Sequence, residues 1–141
     1  MKRLAFAVPV LALLAGCADP YGACGKFRLT ADEAIAQLAP LADNLHTQGL
    51  ITGAEEGQAL GYLKFANDSL ATFGACVAAA HTNPLAGTFS KCAVTINVQL
   101  SNPSELALLH VANQSAQQQL IDIANGVTAG AVTLTAALGG A

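Results

Sequence analysis

Three stretches of this chain carry the same helix-opening grammar, and they narrow its fold more than any other feature. Thr30-Ala31-Asp32-Glu33, Thr52-Gly53-Ala54-Glu55 and Asn102-Pro103-Ser104-Glu105 each put a side-chain acceptor at an N-cap and a Glu at the third helical position. There the Glu carboxylate can reach back to the N-cap amide, so two orphan donors are satisfied reciprocally. Pro103 falls at the first helical position, where its missing N–H costs nothing. Each start is followed by apolar residues at helical spacing, and the expectation is an all-α fold.

The first helix is expected over 31–48, with Ile35, Leu38, Ala42 and Leu45 on one face and Gly49 as its stop. Pro40 inside it should kink or weaken the middle, because proline lacks the N–H that a helix interior uses. The linker Gly49-Leu50-Ile51 is short, so a second helix over 53–80 should return antiparallel. Its stripe reads Leu60, Leu63, Ala66, Leu70, Phe73 and Val77, and its Gly-rich first turns should be its weakest part.

Residues 81–90 read as a loop around Asn83-Pro84 and Gly87. The segment 92–100 is ambiguous: Cys92, Val94, Ile96, Val98 and Leu100 alternate with Ala93, Thr95, Asn97 and Gln99, which is the period of a strand. A strand needs a partner and no second alternating run of that quality exists, so a short helix is favoured and a strand is the alternative. The last helix is expected from Pro103, with Leu106, Leu109, Asn113, Ala116, Leu120, Ile123 and Val127 in a 3-4 repeat that can extend through 128–138. That repeat reads as one stripe of a bundle core; the alternative is a self-associating seam in which Asn113 sets the register. The architecture expected is a small antiparallel bundle of three to four helices over 30–141.

Ahead of the helices, Met1-Lys2-Arg3 is a short basic start and Leu4 to Leu13 an apolar run broken only by Pro9. Ten helical residues rise roughly 15 Å, half of a ~30 Å hydrocarbon core, so the run suits a cleaved signal and not a span. Leu14-Ala15-Gly16-Cys17 follows, and this tetrapeptide resembles the lipobox of bacterial lipoproteins. The resemblance covers residues 1–17. It implies cleavage after residue 16, a diacylglyceryl group on the Cys17 thiol, a lipidated tether over 17–29, and anchoring to a membrane of the cell envelope. Ala18 in place of Asp implies sorting to the outer membrane, facing the periplasm, in a Gram-negative host. The combination of lipobox, Thr-Ala-Asp-Glu helix start and Leu-Ile-Thr junction also resembles small uncharacterised helical lipoproteins of prophage and proteobacterial genomes, which implies a role in modifying a host envelope or accompanying lysis.

With residues 1–16 removed, 125 residues remain, enough for one domain. They keep Lys26, Arg28, Lys64 and Lys91 against nine acids, a formal charge of −5, and no basic cluster of the kind nucleic acid requires. Three cysteines are left. An antiparallel first pair of helices gathers Cys24, Cys76 and Cys92 at one end of the bundle, and outside the cytoplasm one disulfide is expected. Cys76 with Cys92 is favoured; Cys24 with either is the competitor. A zinc site from Cys24, Cys76, His81 and Cys92 lacks any CxxC or HxxxH pair, so no metal is expected. His46 and His110 read as residues without a special role.

No nucleophile elbow, zinc-protease helix or phosphate loop is present, and the acid pairs Asp32-Glu33 and Glu55-Glu56 sit in expected first helical turns, where acids complement the helix dipole. The functional expectation is therefore a non-enzymatic structural or protein-interaction module of the envelope, without cofactor. The alternative is a small apolar ligand or lipid held within the bundle.

Overall fold

A computed structural model describes residues 19–102, 105 and 110–138. The signal segment, the lipidation of Cys17 and the expected helix start at Pro103, with its members Leu106 and Leu109, lie outside the described residues. The rest is helical: α1 Pro20–Ile35, α2 Leu38–Thr47, α3 Gly53–Thr82, α4 Phe89–Leu100 and α5 Gln114–Ala137, with a 3-10 turn at Pro84–Ala86. No strand occurs among the described residues.

The first helix begins a full eleven residues before the expected position. Asp19 caps it by accepting from the N–H groups of Tyr21 and Gly22, both at 3.1 Å, and Pro20 supplies the first helical residue. The stretch 20–29 is thus helix and not tether, and the Thr30–Glu33 box does not form because Thr30 is already in mid-helix. What pulls this stretch into the helix is burial: Ala23, Cys24, Phe27, Ala31 and Ile35 continue the stripe upstream. Pro40 acts as expected, and more strongly. The helix breaks at Ala36-Gln37, because residue 40 has no N–H for the Ala36 carbonyl. Gln37 instead donates to Ala34 O at 3.2 Å, and the chain re-forms as α2 with Ile35, Leu38, Ala42 and Leu45 all buried.

Gly49, at φ 75°, ends α2. Its N–H donates to His46 O and that of Leu50 to Leu45 O, both at 2.9 Å, the paired bonds of a Schellman stop. The Thr52 box forms in full: Glu55 N–H donates to Thr52 Oγ1 at 3.1 Å, and Thr52 N–H to Glu55 Oε1 at 2.9 Å. The expected stripe of α3 holds from Leu63, which is partly buried against the core, onward, and fails at Leu60. Tyr62 and Ala59 are buried there, while Leu60 is exposed.

The ambiguous segment is helix α4, capped by Thr88, which accepts from Lys91 N–H at 3.1 Å. Cys92, Ile96 and Leu100 are four apart and buried, whereas Val94 and Val98 are exposed. Asn113 is neither a core member nor a register residue. It caps α5, its Oδ1 accepting from Ala116 N–H at 2.9 Å, and α5 continues to Ala137.

Cross-helix pairs define the topology. Tyr21 stacks on His81 and Phe27 meets Phe73 edge-on, so α1 runs antiparallel to α3. Thr135 Oγ1 donates to Ala93 O at 3.3 Å and Thr128 Oγ1 to Leu100 O at 3.4 Å, so α5 runs antiparallel to α4. With α1 and α2 as one broken wall, the result is an up-down-up-down four-helix bundle whose neighbouring walls all pack. By length and composition α5 could cross a bilayer, but Ala116, Leu120, Ala124, Val127, Ala131 and Leu134 bury it as the fourth wall.

Cys76 and Cys92 are joined, with Cα atoms 5.8 Å apart, tying α3 to α4. Closing a loop across their 16-residue separation removes about 3 kcal/mol of unfolded-state entropy. The double substitution Cys76→Ala, Cys92→Ala should therefore lower stability in denaturant titrations by about 3 kcal/mol.

Candidate functional site

One end of the bundle collects the start of α1, the end of α3, the 84–88 turn, the start of α4 and the end of α5. The start of α1 and the end of α5 both line a shallow depression of about 280 Å³, open to solvent, with Ala23, Phe89 and Leu138 among its walls. Its elements are placed by the pairs already described: the Tyr21 ring lies 3.9 Å from His81 and 6.1 Å from Phe89, tying α1 to both sides of the 84–88 turn. Asn83 holds that turn by accepting from Leu85 N–H at 3.2 Å, and Leu85 itself projects almost wholly into solvent.

The cysteines expected at this end are there in part as predicted. Cys76 and Cys92 are bonded to each other, so neither offers a thiolate, and the four-ligand zinc set of Cys24, Cys76, His81 and Cys92 loses two members. Cys24 is unpaired and fully buried, and burial, with Asp19 adding to it, pushes its thiol up to about 11. A thiol so placed is inert. His81 is engaged with the Tyr21 ring. Among the described residues no group of three His, Cys, Asp or Glu side chains could hold a metal ion.

The opposite end carries acids. Glu56 meets His46 Nδ1 across the α2–α3 turn, and Glu55 reaches beyond its own capping box, its Oε2 accepting from Ala112 N–H at 2.8 Å. The amides of Thr52 and Ala112, with the nearby His110, hold the Glu55 carboxyl below the usual carboxylate range. Sequence reasoning missed both partnerships, because His46 and His110 carry no local motif and Ala112 is 57 residues from Glu55.

Tyr62 is the one buried side chain left without a polar partner among the described residues. Burial, with the charge of Glu105 adding to it, pushes its hydroxyl up to about 12.

Comparison with family models, curated proteins and solved structures finds no match to this chain.

Two outcomes follow from these groups. Glu55→Ala should lower the melting temperature at neutral pH, and the difference from the unsubstituted protein should shrink as pH falls. The sign is fixed by the lowered pKa: the ionised carboxylate stabilises the fold above its unfolded pKa and ceases to as pH falls through the folded one. Tyr62→Phe removes a hydroxyl with no partner, so denaturant unfolding should show stability unchanged or raised by up to about 1 kcal/mol.

Proposed function

We propose that this protein is a membrane-anchored lipoprotein of the bacterial cell envelope, lipidated on Cys17 and acting as a non-enzymatic structural or protein-interaction module. The observation that carries the reading is Leu14-Ala15-Gly16-Cys17 at the end of a short basic-then-apolar leader. Cys17 stands two positions before Asp19, the cap of the first helix, so cleavage there removes nothing from the bundle. Two or three acyl chains on one residue give a stable anchor, where a single chain holds only marginally. In a Gram-negative host, Ala18 directs the protein to the outer membrane, facing the periplasm.

The interaction half of the reading is supported by the outer faces of α4 and α5. Val94 and Val98 lie one turn apart on α4 and are exposed, as is Val132 on α5. The Thr135–Ala93 and Thr128–Leu100 hydrogen bonds put Val132 at the height between Val94 and Val98, so these neighbouring helices expose apolar side chains at one level of the bundle. An envelope protein is the partner proposed for this surface. The other reading, an apolar ligand within the bundle, calls for an enclosed cavity, whereas the depression described above opens on solvent at the helix ends.

Replacing Cys17 with Ser should abolish lipidation and move the protein from the detergent phase to the aqueous phase in temperature-induced phase separation. Partitioning that does not change would refute the anchor.

A further inference from the structure

We infer that the anchored protein stands on the bilayer, with the end of the bundle built by Tyr21, Leu85, Phe89 and Leu138 seated in the lipid headgroup zone and the acidic end held away from it. The inference rests on the lipid anchor proposed above. Chain length is the first argument. Asp19 follows Cys17 by two positions, and two extended residues reach at most about 7 Å. A lipid on Cys17 therefore leaves the start of α1 no room to float clear of the surface. Whatever lies at that end of the bundle meets headgroups.

What lies there suits that contact. Leu85 is 97% exposed at the tip of the 84–88 turn, an apolar side chain with no protein to cover it. Tyr21 is 43% exposed, its ring held between His81 and Phe89. Tyrosine rings prefer the level of the headgroups, where one edge is apolar and the hydroxyl stays wet. Phe89 and Leu138 are partly buried beside them and close the apolar surface from the α4 and α5 sides.

Charge points the same way. Lys26, Arg28 and Lys91 belong to the anchor half of the bundle, where they offset Asp19 and the mid-height Asp32 and Glu33. Asp43, Glu55, Glu56, Glu105 and Asp122 belong to the far half, where Lys64, bound to Asp68 at 2.8 Å, is the one Lys or Arg among the described residues. An anionic lipid surface therefore repels the far end and not the near one. With α3 rising about 45 Å over its 30 residues, the acids of its first turn stand beyond the reach of the surface potential.

The chain contains no Trp, so a single introduced indole reports one place. Leu85→Trp and, at the exposed start of α3, Ala54→Trp would be made in the full chain, isolated from bacterial membranes and reconstituted into phosphatidylcholine–phosphatidylglycerol vesicles with and without brominated acyl chains. The expected result is co-flotation of both proteins, with the emission of Trp at 85 shifted to the blue and quenched by brominated lipid, and that of Trp at 54 water-like and unquenched. Co-flotation with water-like, unquenched emission at 85 overturns the upright seating and leaves the anchor standing. A blue shift at 85 without quenching by brominated lipid means a second copy of the chain covers Leu85, and also overturns it. Failure of both proteins to float with vesicles overturns the anchor and the seating together.

Discussion

The close approach of helices lined by small residues is the constraint on which the rest of this structure depends. Ten of the 27 buried apolar residues described are alanine, and they recur on all five helices. Alanine at a helix contact brings the axes toward the short end of the usual range, about 8 Å. At that spacing a threonine on one helix reaches a carbonyl of the next, as Thr128 and Thr135 do across the α4–α5 contact while also bonding their own helix. Gly74 belongs to the same logic. A β-carbon there would collide with the Arg28 guanidinium, so its absence lets Arg28 lie across α3.

A core of small side chains makes the few large ones decisive. Phe27 against Phe73 and Tyr21 against His81 set the register of α1 on α3, and that register turns a presumed tether into nearly three turns of packed helix. The consequence reaches the proposed function directly. On the proposal that Cys17 carries the lipid, a helix starting at Pro20 leaves little slack between lipid and fold, and the domain would be a body mounted on the surface. A flexible lead of a dozen residues would instead have let it sample the space above the membrane. The disulfide strengthens the same end by tying the last turns of α3 to the first of α4.

Where the reading of the residues succeeded, the signal was local. The Thr52–Glu55 box, the Gly49 stop, the Pro40 break and the Asn83-Pro84 turn all involve groups within a few positions of one another, and their chemistry needs nothing from the rest of the chain. Where it failed, a local signal lost to burial. Thr30-Ala31-Asp32-Glu33 has the letters of a helix start, but Asp19-Pro20 has them too, and the upstream start buries Ala23, Cys24 and Phe27. Asn113 sat in phase with an apolar repeat, yet its carboxamide is worth more as a cap than in a core, and the helix begins after it.

The segment 92–100 shows how far pattern alone can go. Residues two apart contain residues four apart, so Cys92, Ile96 and Leu100 fit one face of a helix as well as one face of a strand. Periodicity could not separate them; the absence of a pairing strand elsewhere in the chain did. The sequence by itself determined the all-helical class, the end of α2, both ends of α3 and the favoured cysteine pair, because each rests on short-range chemistry or on a count. Only the tertiary structure decided where the first helix begins, that Glu55 reaches Ala112, that Tyr62 is left without a partner, and that Leu85 and Tyr21 share the end at which α1 starts. Those depend on which surfaces meet across dozens of residues, and packing between helices chooses them.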